Sequence, residues 1–134
     1  MIVCDTGQLV AAALSNDDHH RACVDLFTGA HLAGHDLVVP ATVVAEVGYL
    51  LCREAGPRVE AMFLTSMAEG DFAPIALTSV DYARMAELVV TYADLPLGTT
   101  DASVVALAER LGTTEIATLD RRHSAWFVPL TPPR

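Results

Sequence analysis

The chain has 134 residues, 52% of them apolar and 19% charged, with a formal net charge of −9 and arginine as its only basic residue besides histidine. This length and apolar content predict one domain, residues 1–134, with a real core. They exclude a bilayer-spanning segment, which needs an apolar run of roughly 18 residues, and disfavour binding to nucleic acid through a broad basic surface, because that affinity comes from Lys and Arg on phosphates.

The chain opens on Ile2-Val3-Cys4, a short continuous apolar run of the kind that forms a strand buried in a parallel sheet. Asp5 and Thr6 close it, and residues 7–14 carry a short helical pattern. There is no basic leader and no cleavage-site pattern, so the expected location is the cytoplasm. Asn16-Asp17-Asp18 offers N-caps for a helix over about residues 19–27, and Gly29 and Gly34 bracket a turn. Leu37-Val38-Val39 is a second apolar strand, stopped by Pro40. Thr42 is placed to cap a helix that runs to about Glu54 and ends at Gly56. Pro57 suits the first turn of the next helix, which runs to about Glu69 and stops at Gly70. Residues 72–77 are strand-like despite Pro74. Thr78 or Ser79 caps a helix to about Tyr92, and residues 94–98 form a loop. Thr100 caps a helix to Leu111, with Gly112 at its C′ position. Residues 115–119 form a strand closed by Asp120, and residues 127–130 a last edge strand. Strands alternating with helices predict an α/β sandwich, a central mainly parallel sheet flanked by helices. Cys4, Cys23 and Cys52 have no metal-site spacing and are odd in number; they read as small buried hydrophobes in a reducing compartment.

Four acids stand where acids are costly or pointed. Asp5 ends an apolar strand, and in open α/β sheets ligands collect at the carboxyl ends of strands. Asp120 ends the apolar run Ile116-Ala117-Thr118-Leu119 in the same way. Glu46 shares a helix face with Val43, Val47 and Leu50, where a carboxylate costs several kcal/mol unless it is paired or bound to a cation. Asp101 shares a face with Val104, Val105 and Ala108. Each has an ordinary explanation: a turn-starting aspartate, a salt bridge or a slightly rotated helix, an acid in a helical first turn. Taken together they predict one acidic cluster at the carboxyl rim of the sheet. Four carboxylates do not stay ionised side by side without cations, and an oxygen-only set suits Mg²⁺ or Mn²⁺.

An apolar strand into Asp5-Thr6, Glu46 on a Val-rich helix, Thr100-Asp101-Ala102 opening a helix, and Thr118-Leu119-Asp120-Arg121-Arg122-His123 near the end together resemble a PIN-domain ribonuclease. The length and the stretch Asp94-Leu95-Pro96-Leu97-Gly98-Thr99-Thr100-Asp101-Ala102 most resemble the VapC-type toxins of bacterial toxin–antitoxin pairs. The resemblance covers essentially the whole chain; one departure is Gly7-Gln8, where the family often has Ser-Ala. It implies a PIN-like α/β/α sandwich, Asp5, Glu46, Asp101 and Asp120 as a catalytic and metal-binding set, and Mg²⁺ or Mn²⁺ as cofactor. It also implies RNA cleavage, a homodimer and inhibition by a cognate antitoxin. Thr6 and Thr118 are candidates for hydroxyls that steady the acids from behind. Thr100 has a plain N-cap as its ordinary role. Asp94, in the loop before Asp101, is placed either to orient water or to cap a helix.

An acidic nest repels the phosphodiester anion, so cations must be in place before RNA binds. They would activate a water and stabilise the leaving oxygen, giving 5′-phosphate and 3′-hydroxyl ends as in the family. The five histidines are not needed: His19 and His20 point about 100° apart on a helix and read as a solvated helix start. Arg121-Arg122-His123, just after Asp120, is the best local phosphate contact in an acidic chain, with an exposed basic turn as the ordinary alternative. Trp126 and Phe127 read as packing for the last strand rather than base-stacking groups. Excess apolar residues on the helices between residues 19 and 68 suggest partner surfaces. Asp5-Thr6-Gly7 also matches the aspartic-protease tripeptide, but that class is all-β, and Gly7 stands where phosphoaspartate enzymes have a second Asp. The remaining alternative is a catalytically inactive PIN-like module that binds RNA or protein; the complete acidic set argues against it.

Overall fold

The computed structural model describes residues 1–95 and 97–117. Four strands, β1 (Ile2–Cys4), β2 (Leu37–Pro40), β3 (Ala73–Ile75) and β4 (Ile116–Ala117), form one sheet in the order β3-β2-β1-β4 with every pairing parallel. Around it lie α1 (Thr6–Ala13), α2 (His20–Leu32), α3 (Ala41–Ala55), α4 (Pro57–Ala68), α5 (Ser79–Thr91) and α6 (Thr99–Leu111). The expected parallel α/β architecture is what forms. β1 and β2 are buried along their whole length, as strands covered on both faces must be. Pro74 sits in β3, the edge strand, where a missing N–H is tolerated.

The register sets the rim. Val3 stands opposite Val38 on one side and Ile116 on the other, and the Asp5 N–H donates to the Ala117 carbonyl at 3.0 Å. The chain steps outward from β1 to β2 to β3, then crosses back to place β4 on the free side of β1. The switch in direction lies between β1 and β4, the crevice where open α/β sheets hold ligands. The core packs Val3, Val39, Val43, Val47, Leu51, Leu107 and Ile116 essentially out of water. A second apolar cluster joins α5 to α6 through Met85, Leu88, Leu97, Ala102, Val105 and Ala106.

α6 is the spine of this arrangement. Residues 102–108 are all buried, so the helix has no solvent face over nearly two turns. Its first turn lies beside α3, as the Thr100–Glu46 contact below shows. Its end lies at the opposite edge of the sheet: Gly112 closes the helix at φ 70°, and Thr113 Oγ1 donates to the Met1 carbonyl at 3.1 Å. α6 therefore runs from the carboxyl rim back to the amino edge.

Several boundaries differ from the sequence reading. α2 passes through Gly29 and continues to Leu32; a glycine inside a helix costs only about 1 kcal/mol, and Ala30 is buried against the core. Its start is also different. Asp17 Oδ1 accepts the His19 N–H at 2.8 Å, and the half-buried His20 ring lies 2.9 Å from the Ala11 carbonyl, so His20 ties α2 to α1 rather than facing solvent. α3 begins at Ala41 and α6 at Thr99, so neither Thr42 nor Thr100 is an N-cap. β3 contracts to three residues, and Cys52 is exposed, unlike buried Cys4 and Cys23. The segment 127–130, expected as a last strand, lies outside the described residues.

Candidate active site

Asp5 follows β1 and opens α1. Its extended backbone (φ −96°, ψ 161°) lets Oδ1 accept the Thr6 N–H at 2.7 Å, so the carboxylate that ends the strand also starts the helix. It is 6% exposed at the crevice between β1 and β4. A carboxylate so placed is costly to bury unless it is paired, hydrogen-bonded or bound to a cation. Burial, and then the negative charge of Asp5 beside it, pushes the Cys4 thiol far up, so Cys4 stays protonated and is no nucleophile.

Glu46 is not at the centre of the buried stripe of α3. Val43, Val47 and Leu51 take that position, fully buried, and Glu46 is half-buried at its edge. That rotation turns it toward α6. Thr100 Oγ1 donates to Glu46 Oε2 at 2.6 Å, across 54 residues of chain. A hydroxyl this close fixes the position of one carboxylate oxygen. Asp101 is the next residue, half-buried in the first turn of α6. Leu97, buried between α5 and α6, anchors the loop that leads into that turn.

The elements carrying three of the four expected acids are thus packed on one another: α6 against β1 and α3, and α3 against α1. Asp120, Thr118 and the run Arg121, Arg122 and His123 lie outside the described residues. Asp94 is exposed and caps no helix. Among the described residues no three Asp, Glu, His or Cys side chains stand close enough together to hold a cation by themselves. What the described residues offer a cation is oxygen chemistry at the rim, two carboxylates and a glutamate already held by a hydroxyl. Beside Asp5 there is also an orphan: Thr6 Oγ1 is buried without a hydrogen-bond partner among the described residues. Buried hydroxyls are rarely left so, and a water or ligand at the rim is the partner such an atom calls for. The donor set therefore fits Mg²⁺ or Mn²⁺ in kind.

Three polar residues have surroundings that the sequence reading did not anticipate. Gln8 is 1% exposed and its Oε1 has no partner among the described residues. Thr42 and Ser103 meet through their hydroxyls at 2.6 Å, and Ser103 is fully buried. The available signal was a polar residue inside an apolar face: Ser103 lies within the uninterrupted buried run 102–108.

The PIN domain family matches residues 2–126 of this chain. Ribonuclease VapC26 of Mycobacterium tuberculosis is 33% identical over 132 residues, spanning 96% of this chain and 93% of that protein. Among solved structures, Mycobacterium tuberculosis VapC20, described as a sarcin–ricin loop cleaving toxin, superposes with a TM-score of 0.86 at 20% identity, covering 99% of this chain and all of that one. FitAcB from Neisseria gonorrhoeae superposes with a TM-score of 0.68 at 15% identity, covering 98% of each chain. The two structures speak to the fold; the sequence match speaks to the family.

Proposed function

The chain belongs to the PIN-domain family, and on that premise we propose that it is a divalent-cation-dependent endoribonuclease, the toxin of a toxin–antitoxin pair. The observation that carries this reading is the Thr100–Glu46 hydrogen bond. It joins the helix bearing Glu46 to the helical turn bearing Asp101, at the rim where Asp5 ends the central strand. The similarity to Ribonuclease VapC26 supports RNA as the substrate.

Asp5, Glu46, Asp101 and Asp120 form the acidic set that holds Mg²⁺ or Mn²⁺. The chemistry supplied by the bound cation is activation of a water and neutralisation of charge on the phosphoryl oxygens. The protein's part is to hold the acids in place. Thr100 pins one oxygen of Glu46 and leaves the other available. Asp5 is held in place at the start of α1, where its Oδ1 accepts the Thr6 N–H. The Thr6 hydroxyl, buried without a partner among the described residues, is available as a donor to a water or a phosphate oxygen, and we assign Thr118 the same role from its place in the sequence pattern. Arg121, Arg122 and His123 supply phosphate contacts in a chain that is otherwise repelled by RNA. Asp94, exposed in the loop before Asp101, orients solvent rather than metal.

The partners are a cognate antitoxin and a second copy of the chain. Tyr49, Met62 and Leu64 on the α3–α4 hairpin, and Val80, Tyr82 and Val90 on α5, are exposed to 45% or more, an apolar surface of the kind that partners cover. No helix among the described residues is long and apolar enough to cross a membrane.

The test is incubation of the purified chain with a mixed RNA pool and Mn²⁺ or Mg²⁺, with end-chemistry read by sequencing. Cleavage that leaves 5′-phosphates and stops on chelation is expected. Cleavage that persists at full rate in excess chelator, or leaves 2′,3′-cyclic ends, would sink the cation-dependent mechanism.

A further inference from the structure

Nothing covalent holds α3 and α6 in register. They meet through apolar side chains and through polar contacts that include Glu46 with Thr100 and Thr42 with Ser103, the second spanning 61 residues of chain. Thr42 and Glu46 are four residues apart on α3, and Thr100 and Ser103 three apart on α6, so each pair lies on one helix face, one turn apart. The contacts are two rungs of an antiparallel ladder.

The direction of every proton in the ladder is determined. The Thr100 hydroxyl donates to Glu46 Oε2, a carboxylate oxygen that accepts. Ser103 Oγ lies 2.5 Å from the Thr100 carbonyl, which also only accepts, so the Ser103 proton is committed there. Ser103 has then no proton left for Thr42, and Thr42 donates to Ser103 Oγ. The chain reads Thr42 to Ser103 to the Thr100 carbonyl, and from the Thr100 hydroxyl to Glu46. It ends on a residue of the acidic set. Apolar contact is non-directional and tolerates small slides between helices, whereas hydrogen bonds weaken steeply with angle and distance. A serine fully buried in the middle of α6 costs more than alanine unless its bonds are needed.

We propose that Thr42 and Ser103 are positioning residues whose hydroxyl rung fixes the register of α3 on α6, and so the placement of Glu46 relative to Asp101. The proposal rests on the nuclease reading above and adds two residues to it. Its action is on cation affinity and turnover, through Thr100 and Glu46, and not on substrate binding.

The test compares the wild type with Thr42→Val, Ser103→Ala, the double variant and Thr42→Ser. Binding of Mn²⁺ alone is followed by the paramagnetic resonance signal of the free ion, well below the melting temperature, and RNA cleavage is measured at saturating Mn²⁺. The double variant is expected to bind Mn²⁺ about tenfold more weakly, the usual scale for groups that orient metal ligands, and to lose kcat with KM unchanged. Thr42→Ser keeps the hydroxyl and is expected to behave as wild type. Folded variants with unaltered Mn²⁺ affinity and kcat would overturn the proposal, as would Thr42→Ser being as defective as Thr42→Val. Should Ser103→Ala unfold, Thr42→Val at a half-buried site carries the same comparison. Failure of the nuclease reading itself is separate, because it shows in the wild type alone, as no Mn²⁺ binding and no cleavage.

Discussion

Asp5→Asn is expected to lower RNA cleavage by about a hundredfold or more while leaving the fold intact. The substitution is chosen because Asp5 has two jobs that it separates. As the residue that caps α1 it accepts the Thr6 N–H, and asparagine caps a helix as well as aspartate does. As a carboxylate at 6% exposure it carries a charge that the fold gains little by burying. Removing the charge and keeping the cap should therefore leave the melting temperature within about 2 °C, since half a kcal/mol moves a domain of this size by roughly that much. Mn²⁺ binding should weaken with the activity. A variant that cleaves RNA at the wild-type rate would remove Asp5 from the site; a variant that unfolds would mean that its charge is structural.

The second large effect is on stability and lies away from the rim. Asp81 is 1% exposed at the third position of α5. Its Oδ2 accepts the Thr78 N–H at 2.8 Å, and Thr78 Oγ1 takes the Asp81 N–H at 3.3 Å, a reciprocal cap. Arg110 Nε sits 2.9 and 3.0 Å from the two carboxylate oxygens, and its Nη2 donates to the Ala76 carbonyl at 3.1 Å. One carboxylate thus joins the start of α5, the end of α6 and the segment after β3. Asp81→Ala strands a part-buried guanidinium and the Thr78 amide together, a loss of about 3 kcal/mol, or roughly 10 °C in melting temperature.

Acid should reproduce that loss. Burial pushes the Asp81 carboxyl up, but the Thr78 amide and the Arg110 guanidinium outweigh it and hold it below the usual carboxylate range. A group whose folded pKa lies below its unfolded value of about 3.9 contributes stability above that value and loses it as pH falls through the folded pKa. The gap in melting temperature between wild type and Asp81→Asn should therefore be constant from neutral pH down to about pH 4 and then close. A gap unchanged down to pH 2.5 would mean that the carboxylate charge does not supply the stability.

The parts legible in the sequence were those written in short-range pattern. Ile2-Val3-Cys4 and Leu37-Val38-Val39 announce buried parallel strands because no polar residue interrupts them, and Asp5 is visible because it ends such a run. Pro57, Gly70, Thr78 and Gly112 mark helix ends by local backbone chemistry, and the structure uses them so. What failed was assignment of hydroxyls. Thr42 and Thr100 each precede a helical pattern and read as caps, but Pro40 and Gly98 start those helices, which frees both hydroxyls for contacts more than 50 residues away in sequence. No local pattern encodes such a partner. Glu46 stood out in the sequence as a carboxylate on an apolar helix face; in the structure the helix is rotated, the ordinary alternative, so that Glu46 is half-buried at the edge of the stripe and meets α6 there. His20 and Cys52 went opposite ways for the same reason: burial at the border of a helix face depends on the neighbouring element. Asp120, Thr118, Arg121, Arg122 and His123 lie beyond the described residues, so their part in the site stands on the sequence pattern and the family.

The central claim is that acids from three separate elements, with Asp120, share one cation site. Its most direct test is a crystal of the chain grown or soaked with Mn²⁺ and measured at the manganese absorption edge. The account predicts an anomalous peak at the carboxyl rim of β1, coordinated by Asp5 and Asp101, with Glu46 still held by Thr100. Asp5 and Asp101 carboxylates too far apart to be joined through bound Mn²⁺, or an empty rim in a protein that cleaves RNA under the same conditions, would contradict it.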